Sequence, residues 1–159
     1  CIAPASLWNT KQYPVEKWID FVSKVDSDIL IYFVGGNTDI DLANQIISQS
    51  KNTNCINLCG KFSLLQTASL MQHAVMNYVN DSAPMHLASS VNAKVCVIYC
   101  STIPNFGFGP LSDISEIIET NETLKCRPCG LHGHKTCPEG HFKCGYQIDT
   151  QKLLNLINI

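Results

Sequence analysis

The period of the apolar positions changes repeatedly along this chain. "CIAPAS", "DILIYFVGG", "NCINLCG", "AVMNYV", "KVCVIYC" and "ISEIIE" are short apolar runs, and most are separated by stretches where apolar residues return every three or four positions. An uninterrupted apolar run suits a parallel strand buried on both faces, and the wider spacing marks one face of a helix. The runs therefore predict six strands. Pro14 opens the first helix, with Val15, Trp18, Ile19, Val22 and Val25 along one face. Thr38 with Asp41 resembles a capping box ahead of Leu42, Ala43, Ile46 and Ile47. Ser63 with Gln66 forms a second box, ahead of Leu64, Ala68 and Met71. A short helix is expected from about Pro84 to Val91, and a terminal one over "TQKLLNLINI". Strands alternating with helices in this way give βαβ units, so the expected class is α/β, a Rossmann-like parallel sheet with helices on both faces. No repeat or linker divides residues 1–159, and the cysteine-rich segment 126–144 is the one shift in composition.

Composition narrows the function classes. With 45% hydrophobic and 15% charged residues, the chain can bury a core and does not read as disordered. A net charge of −2 supplies no basic field, so nucleic acid is not an expected partner. No apolar stretch approaches the roughly 20 residues of a membrane span. With no export signal in view, the cytoplasm is the expected compartment. The chain opens at Cys1 with a strand already under way, which predicts a piece of a longer protein.

Open parallel sheets bind ligands beyond the carboxyl ends of their strands, so the turns carry the candidate chemistry. Ser6 and Lys11 follow the first strand; Gly35, Gly36 and Asp39 the second; Gly60, Lys61 and Phe62 the third; Asp81, Ser82 and His86 the fourth; Ser101 and Thr102 the fifth. Together they suit a phosphorylated ligand. Glycines let backbone approach closely, helix N-termini favour anions, a lysine supplies a point charge, and an acidic side chain accepts from ribose hydroxyls. Taken singly, Asp81 and Ser82 are also ordinary helix caps, His86 also reads as a core histidine, and the lysines as solvated charges.

The ordered series "KQYPVEKW", "FVGG", "LCGKFSL" and "NDSAPMHLAS" resembles the C-terminal half of the family 9 glycosyltransferases, the ADP-heptose:lipopolysaccharide heptosyltransferases. "STIPNFGFGPLS" and "CRPCGLHGHKTCPEGHFKC" look like a variant of that family's ending. The resemblance implies the C-terminal half of a GT-B fold, binding an ADP-sugar donor. The N-terminal domain, expected to hold a lipid-linked saccharide acceptor and the general base, would be absent from this chain. It further implies that Lys11 and Ser6 contact the diphosphate, Asp39 the ribose and Phe62 the adenine. Asp81 and His86 would sit by sugar and phosphates, with the amides of Ser82 and Ala83 on phosphate. Lys11, Asp81 and His86 are thus the expected catalytic groups, with no metal required for catalysis. A lipid-anchored acceptor would bring peripheral contact with the inner face of the inner membrane. Ala83 stands where many members carry glycine, which requires a turn without positive φ there.

Cys126, Cys129, Cys137 and Cys144 form a compact four-thiol set. Its Cys-x2-Cys opening has metal-ligand spacing, so a structural zinc is the favoured reading, beside two disulfides or free thiols. All nine cysteines cannot pair within the chain, since nine is odd. A non-catalytic, zinc-stabilised nucleotide-binding module is the alternative function. A redox role for Cys126 and Cys129 is disfavoured, because the pair does not open a helix after a strand.

Overall fold

The computed structural model of the chain describes residues 1–157. Six parallel strands form one sheet in the order β3-β2-β1-β4-β5-β6. They are β1 (Ile2–Ala3), β2 (Ile31–Phe33), β3 (Cys55–Asn57), β4 (Asn77–Asn80), β5 (Val95–Tyr99) and β6 (Ser115–Glu119). The helices are α1 (Val15–Lys24), α2 (Ile40–Ser50), α3 (Leu64–Gln72), α4 (Ala83–Ser90), α5 (Lys143–Tyr146) and α6 (Thr150–Leu154). β1 is cut short because Pro4 follows it and has no N–H for the ladder. Short as it is, β1 holds the centre of the sheet, with Ile2 opposite Phe33 on one side and Tyr78 on the other.

Alternation along the strands feeds two cores. Cys96, Ile98 and Cys100 point to one face, where Trp18, Phe21 and Val22 of α1, Ile46 of α2 and Leu153 of α6 cover them. Val95, Val97 and Tyr99 point to the other, against Met71 of α3 and Met85 and Ala88 of α4. The Rossmann-like sheet with helices on both faces is therefore the fold found. The edge strands are less covered: Ile56 in β3 and Ile117 in β6 are partly exposed.

Several local expectations change. The Ser63–Gln66 capping box is present, with the Gln66 N–H donating to Ser63 Oγ and the Ser63 N–H donating to Gln66 Oε1. The Thr38–Asp41 box is not. The Asp39 carboxylate instead accepts from the Gly36 N–H at 2.8 Å, and α2 starts after Asp39. Leu64 is not part of a buried stripe; it is exposed, on the rim of a cavity. The terminal helix is one short turn, Thr150–Leu154, and the last two residues of "TQKLLNLINI" lie outside the described residues.

Candidate functional site

The strand order reverses between β1 and β4. From β1 the chain proceeds outward through β2 and β3, then crosses to the other side of β1 for β4, β5 and β6. Turns leaving two such strands diverge, and the crevice between them is where ligands enter open α/β sheets. Lys11 follows β1 and Asp81 follows β4, so the topology alone brings them together. Lys11 Nζ lies 2.8 Å from Asp81 Oδ2, and both side chains are largely buried. The Thr102 hydroxyl, after β5, donates to the same carboxylate oxygen at 2.6 Å. Asp81 is thus fixed from two sides, and the lysine ammonium is held at the crevice mouth.

Helix α4 begins directly above this pair. Ser82 precedes it in extended conformation, and its hydroxyl turns back toward the carbonyls of Ala5 and Asn80 instead of capping the helix. Pro84 in the first turn has no N–H of its own. The amide end of α4 is therefore left open beside a fixed lysine, an arrangement suited to an anion. Ala83 has no positive φ, since the non-glycine residues with positive φ among those described are Lys51, Asn92 and Phe142. Alanine at this position is accommodated without strain.

A cavity of about 1290 Å³ runs from this point toward the ends of β2 and β3. Ser6, Lys11, Asp39, Phe62, Asp81, Ser82, Ala83 and His86 all line it. Lys61 is not among its lining residues. Asp39 is drawn in by its bond to the Gly36 amide, and a Cβ at Gly35 would lie 2.5 Å from its carboxylate. Gly35 is thus needed for close approach, not for flexibility. His86 is exposed on α4, with its ring edge-on to Phe108, so it is not a core histidine. Ser101 is buried against Thr10 and braces the Lys11 turn from behind.

Two residues that hold the site are not evident from sequence. Asn80, fully buried, accepts from the Tyr13 N–H at 2.8 Å and donates to the Pro4 carbonyl at 2.7 Å. It ties the end of β4 to the turn carrying Lys11. Arg127, in the cysteine-rich segment, donates to the carbonyls of Tyr99, Cys100 and Thr102 and pairs with Glu119. It fastens that segment over the ends of β5 and β6.

The cysteines do not form a closed cluster. All nine are free thiols. Among the described residues no three His, Cys, Asp or Glu side chains are grouped to hold a metal ion, so the four-thiol zinc site is not assembled in this structure. The physical reason lies in what anchors the segment. Arg127 and the Cys129 amide bind carbonyls at the end of β5, and Cys144 is buried in α5. Burial pushes the Cys144 thiol up to about 11, with smaller contributions from Cys137 and Cys126. The Cys129 thiol is also raised, first by burial and then by Cys137 and Cys126. The sulfurs thus lie within electrostatic reach of one another. No helix among the described residues is long and apolar enough to cross a membrane.

Comparison with known proteins agrees with this fold. The chain is 30% identical over 136 residues to lipooligosaccharide heptosyltransferase 2 of Campylobacter jejuni, which spans 80% of this chain and 39% of that protein. It therefore covers about two fifths of that relative's length. Among solved structures, the ADP-heptose LPS heptosyltransferase II of E. coli superposes with a TM-score of 0.77 at 21% identity, covering 99% of this chain and 44% of that one. The dodecameric, iron-containing heptosyltransferase TibC, in complex with ADP-D-beta-D-heptose, gives a TM-score of 0.69 at 17% identity over 99% of this chain and 43% of its own. The family model named glycosyltransferase family 9 (heptosyltransferase) matches residues 1–142, and the chain belongs to that family.

Proposed function

We propose that this chain is the donor-binding half of a GT-B glycosyltransferase. It would take an ADP-sugar and serve transfer of a heptose, or a related sugar, to a lipopolysaccharide core acceptor. The observation that carries the reading is the Lys11–Asp81 pair beneath the open amide end of α4, at the switch point of the sheet. Family membership supports it, as do structural neighbours described with ADP-heptose. In this reading the diphosphate lies on Lys11 and the Ala83 amide, Ser6 lines the phosphate path, Asp39 takes the ribose, and Phe62 borders the adenine. As the glycosyl bond breaks, negative charge builds on the leaving phosphate. A fixed cation and an oriented amide stabilise that charge without having to reorganise. The acceptor hydroxyl must also lose a proton to a base. We place that base, and the lipid-linked acceptor, on a domain outside these 159 residues, working at the cytoplasmic face of the inner membrane. The chain by itself then binds donor without turnover.

Calorimetric titration with ADP, UDP, GDP and CDP tests the reading. ADP is expected to bind at least about tenfold more tightly than the others, a difference of about 1.4 kcal/mol. Equal affinity for all four, or no binding at millimolar concentration, would sink it.

A structural metal at Cys126, Cys129, Cys137 and Cys144 is a second part of the proposal. Its support is the ligand spacing, the electrostatic reach of the thiols on one another, and the iron of TibC. Binding would draw the four sulfurs together and release their protons. Metal analysis of the purified chain should find about one equivalent of zinc or iron, lost on the double replacement Cys126→Ser/Cys129→Ser. A wild-type content below about a tenth of an equivalent rules it out.

A further inference from the structure

We infer that the cysteine-rich segment forms the wall of the sugar subsite, with Leu131 and His132 contacting the glycosyl group of the donor. The inference rests on the donor-site reading above and assigns these residues a task separate from any metal. A second cavity, of about 280 Å³, also opens at the Lys11–Asp81 pair. The two share Lys11, Asp81, Ser82, Ala83 and His86, and only then diverge. The large cavity runs toward Asp39 and Phe62, beyond β2 and β3. The small one runs toward the turn after β5, where Phe106 and Phe108 meet Leu131 and His132.

A nucleotide sugar is a linear molecule with its diphosphate in the middle. With the diphosphate on the shared residues, its two ends must enter the two cavities. Asp39 suits a ribose, and the larger space suits a nucleoside, which leaves the smaller space for the sugar. The lining chemistry fits. Apolar side chains can cover the C–H face of a pyranose, while His132, His86 and Asp81 offer hydrogen bonds to its hydroxyls.

The segment is held firmly enough to serve as a wall. The Thr10 N–H donates to the His134 carbonyl at 3.1 Å, and the His134 N–H donates to Thr10 Oγ1 at 2.7 Å. The Cys129 N–H donates to the Ser101 carbonyl at 2.8 Å. Gly133, with φ +77°, lies against the Lys11 turn; a Cβ there would be 2.9 Å from Thr10 Oγ1 and 3.0 Å from Lys11 Cγ. The backbone is thus fixed on one side of Leu131 and His132 to the turn after β5, and on the other to the turn that carries Lys11, while the two side chains stay accessible.

Titrating the 159-residue chain with ADP, ADP-glucose and ADP-heptose tests this, using wild type, Leu131→Ala and His132→Ala. Both side chains are exposed, so the melting temperature should not move. ADP affinity is expected to stay within about twofold in the variants, while ADP-heptose weakens about five- to tenfold, as the loss of a hydrogen bond or an apolar contact predicts. If ADP-heptose binds the variants as tightly as wild type while ADP still binds, the subsite assignment is overturned and the donor site stands. If the variants lose ADP itself, the segment acts on Lys11 and the assignment is likewise overturned. If wild type binds no ADP, the donor-site reading fails first and takes the subsite with it.

Discussion

Replacing Lys11 by alanine is expected to weaken ADP binding at least about a hundredfold, some 2.7 kcal/mol. Two effects add. The variant loses a charge-assisted contact to phosphate. It also leaves the Asp81 carboxylate unopposed at the mouth of the crevice, nearly buried and still held by Thr102. Two unit charges a few ångströms apart near a protein surface interact by several kcal/mol at an effective dielectric of about 20, so the bare carboxylate repels the incoming phosphate. Lys11→Ala combined with Asp81→Asn removes that repulsion and should recover part of the loss, which separates the two effects. Calorimetry on the single and double variants reads both. Lys11→Ala binding ADP within about threefold of wild type would remove the lysine from the phosphate site.

The second large effect is on stability. Asn80→Ala should cost about 3 kcal/mol, measured by urea unfolding with an unchanged slope. Asn80 is completely buried, and its amide serves the Tyr13 N–H and the Pro4 carbonyl at once. Alanine leaves both backbone groups unpaired in the interior, and each orphaned group costs about 1–3 kcal/mol. For a chain of this size that corresponds to a fall in melting temperature of roughly 6–12 °C. A loss under about 1 kcal/mol would mean that water replaces the amide and that Asn80 does not hold the two turns together.

Asn80 also shows where sequence reading ends. It stands in the polar turn "NDSAPMHLAS", beside Asp81 and Ser82, and nothing local separates the three. Their tasks differ because of partners far away in the chain. Asn80 reaches residues 67 and 76 positions distant, while Asp81 meets a lysine from another turn. The strand runs were legible because burial on both faces leaves a continuous apolar mark. Lys11, Asp39, Asp81 and His86 were legible because parallel topology sends every such turn to one edge, and all four line one cavity. Arg127 was not: a loop arginine ordinarily reads as a solvated charge, and here it binds three carbonyls that only the folded sheet presents. The supposed cap at Thr38 and Asp41 failed for a local reason, because Asp39 reaches the free Gly36 amide first. The cysteine spacing was plain in the sequence, but spacing does not determine how a loop lays its sulfurs.

The two-residue strand β1 has a consequence for how this protein opens. Among the described residues it is the sole strand that joins the β2–β3 and β4–β5–β6 parts of the sheet, and its pairing with β4 closes a loop of more than seventy residues. Any fluctuation that frees β1 separates those parts and loads the bonds by which Asn80 and Ser101 hold the Lys11 turn beside Asp81. Local unfolding of the sheet centre and loosening of the proposed anion site are therefore coupled. A bound nucleotide would suppress that opening by mass action, so amide hydrogens of a strand that never touches the ligand would exchange more slowly when it is present.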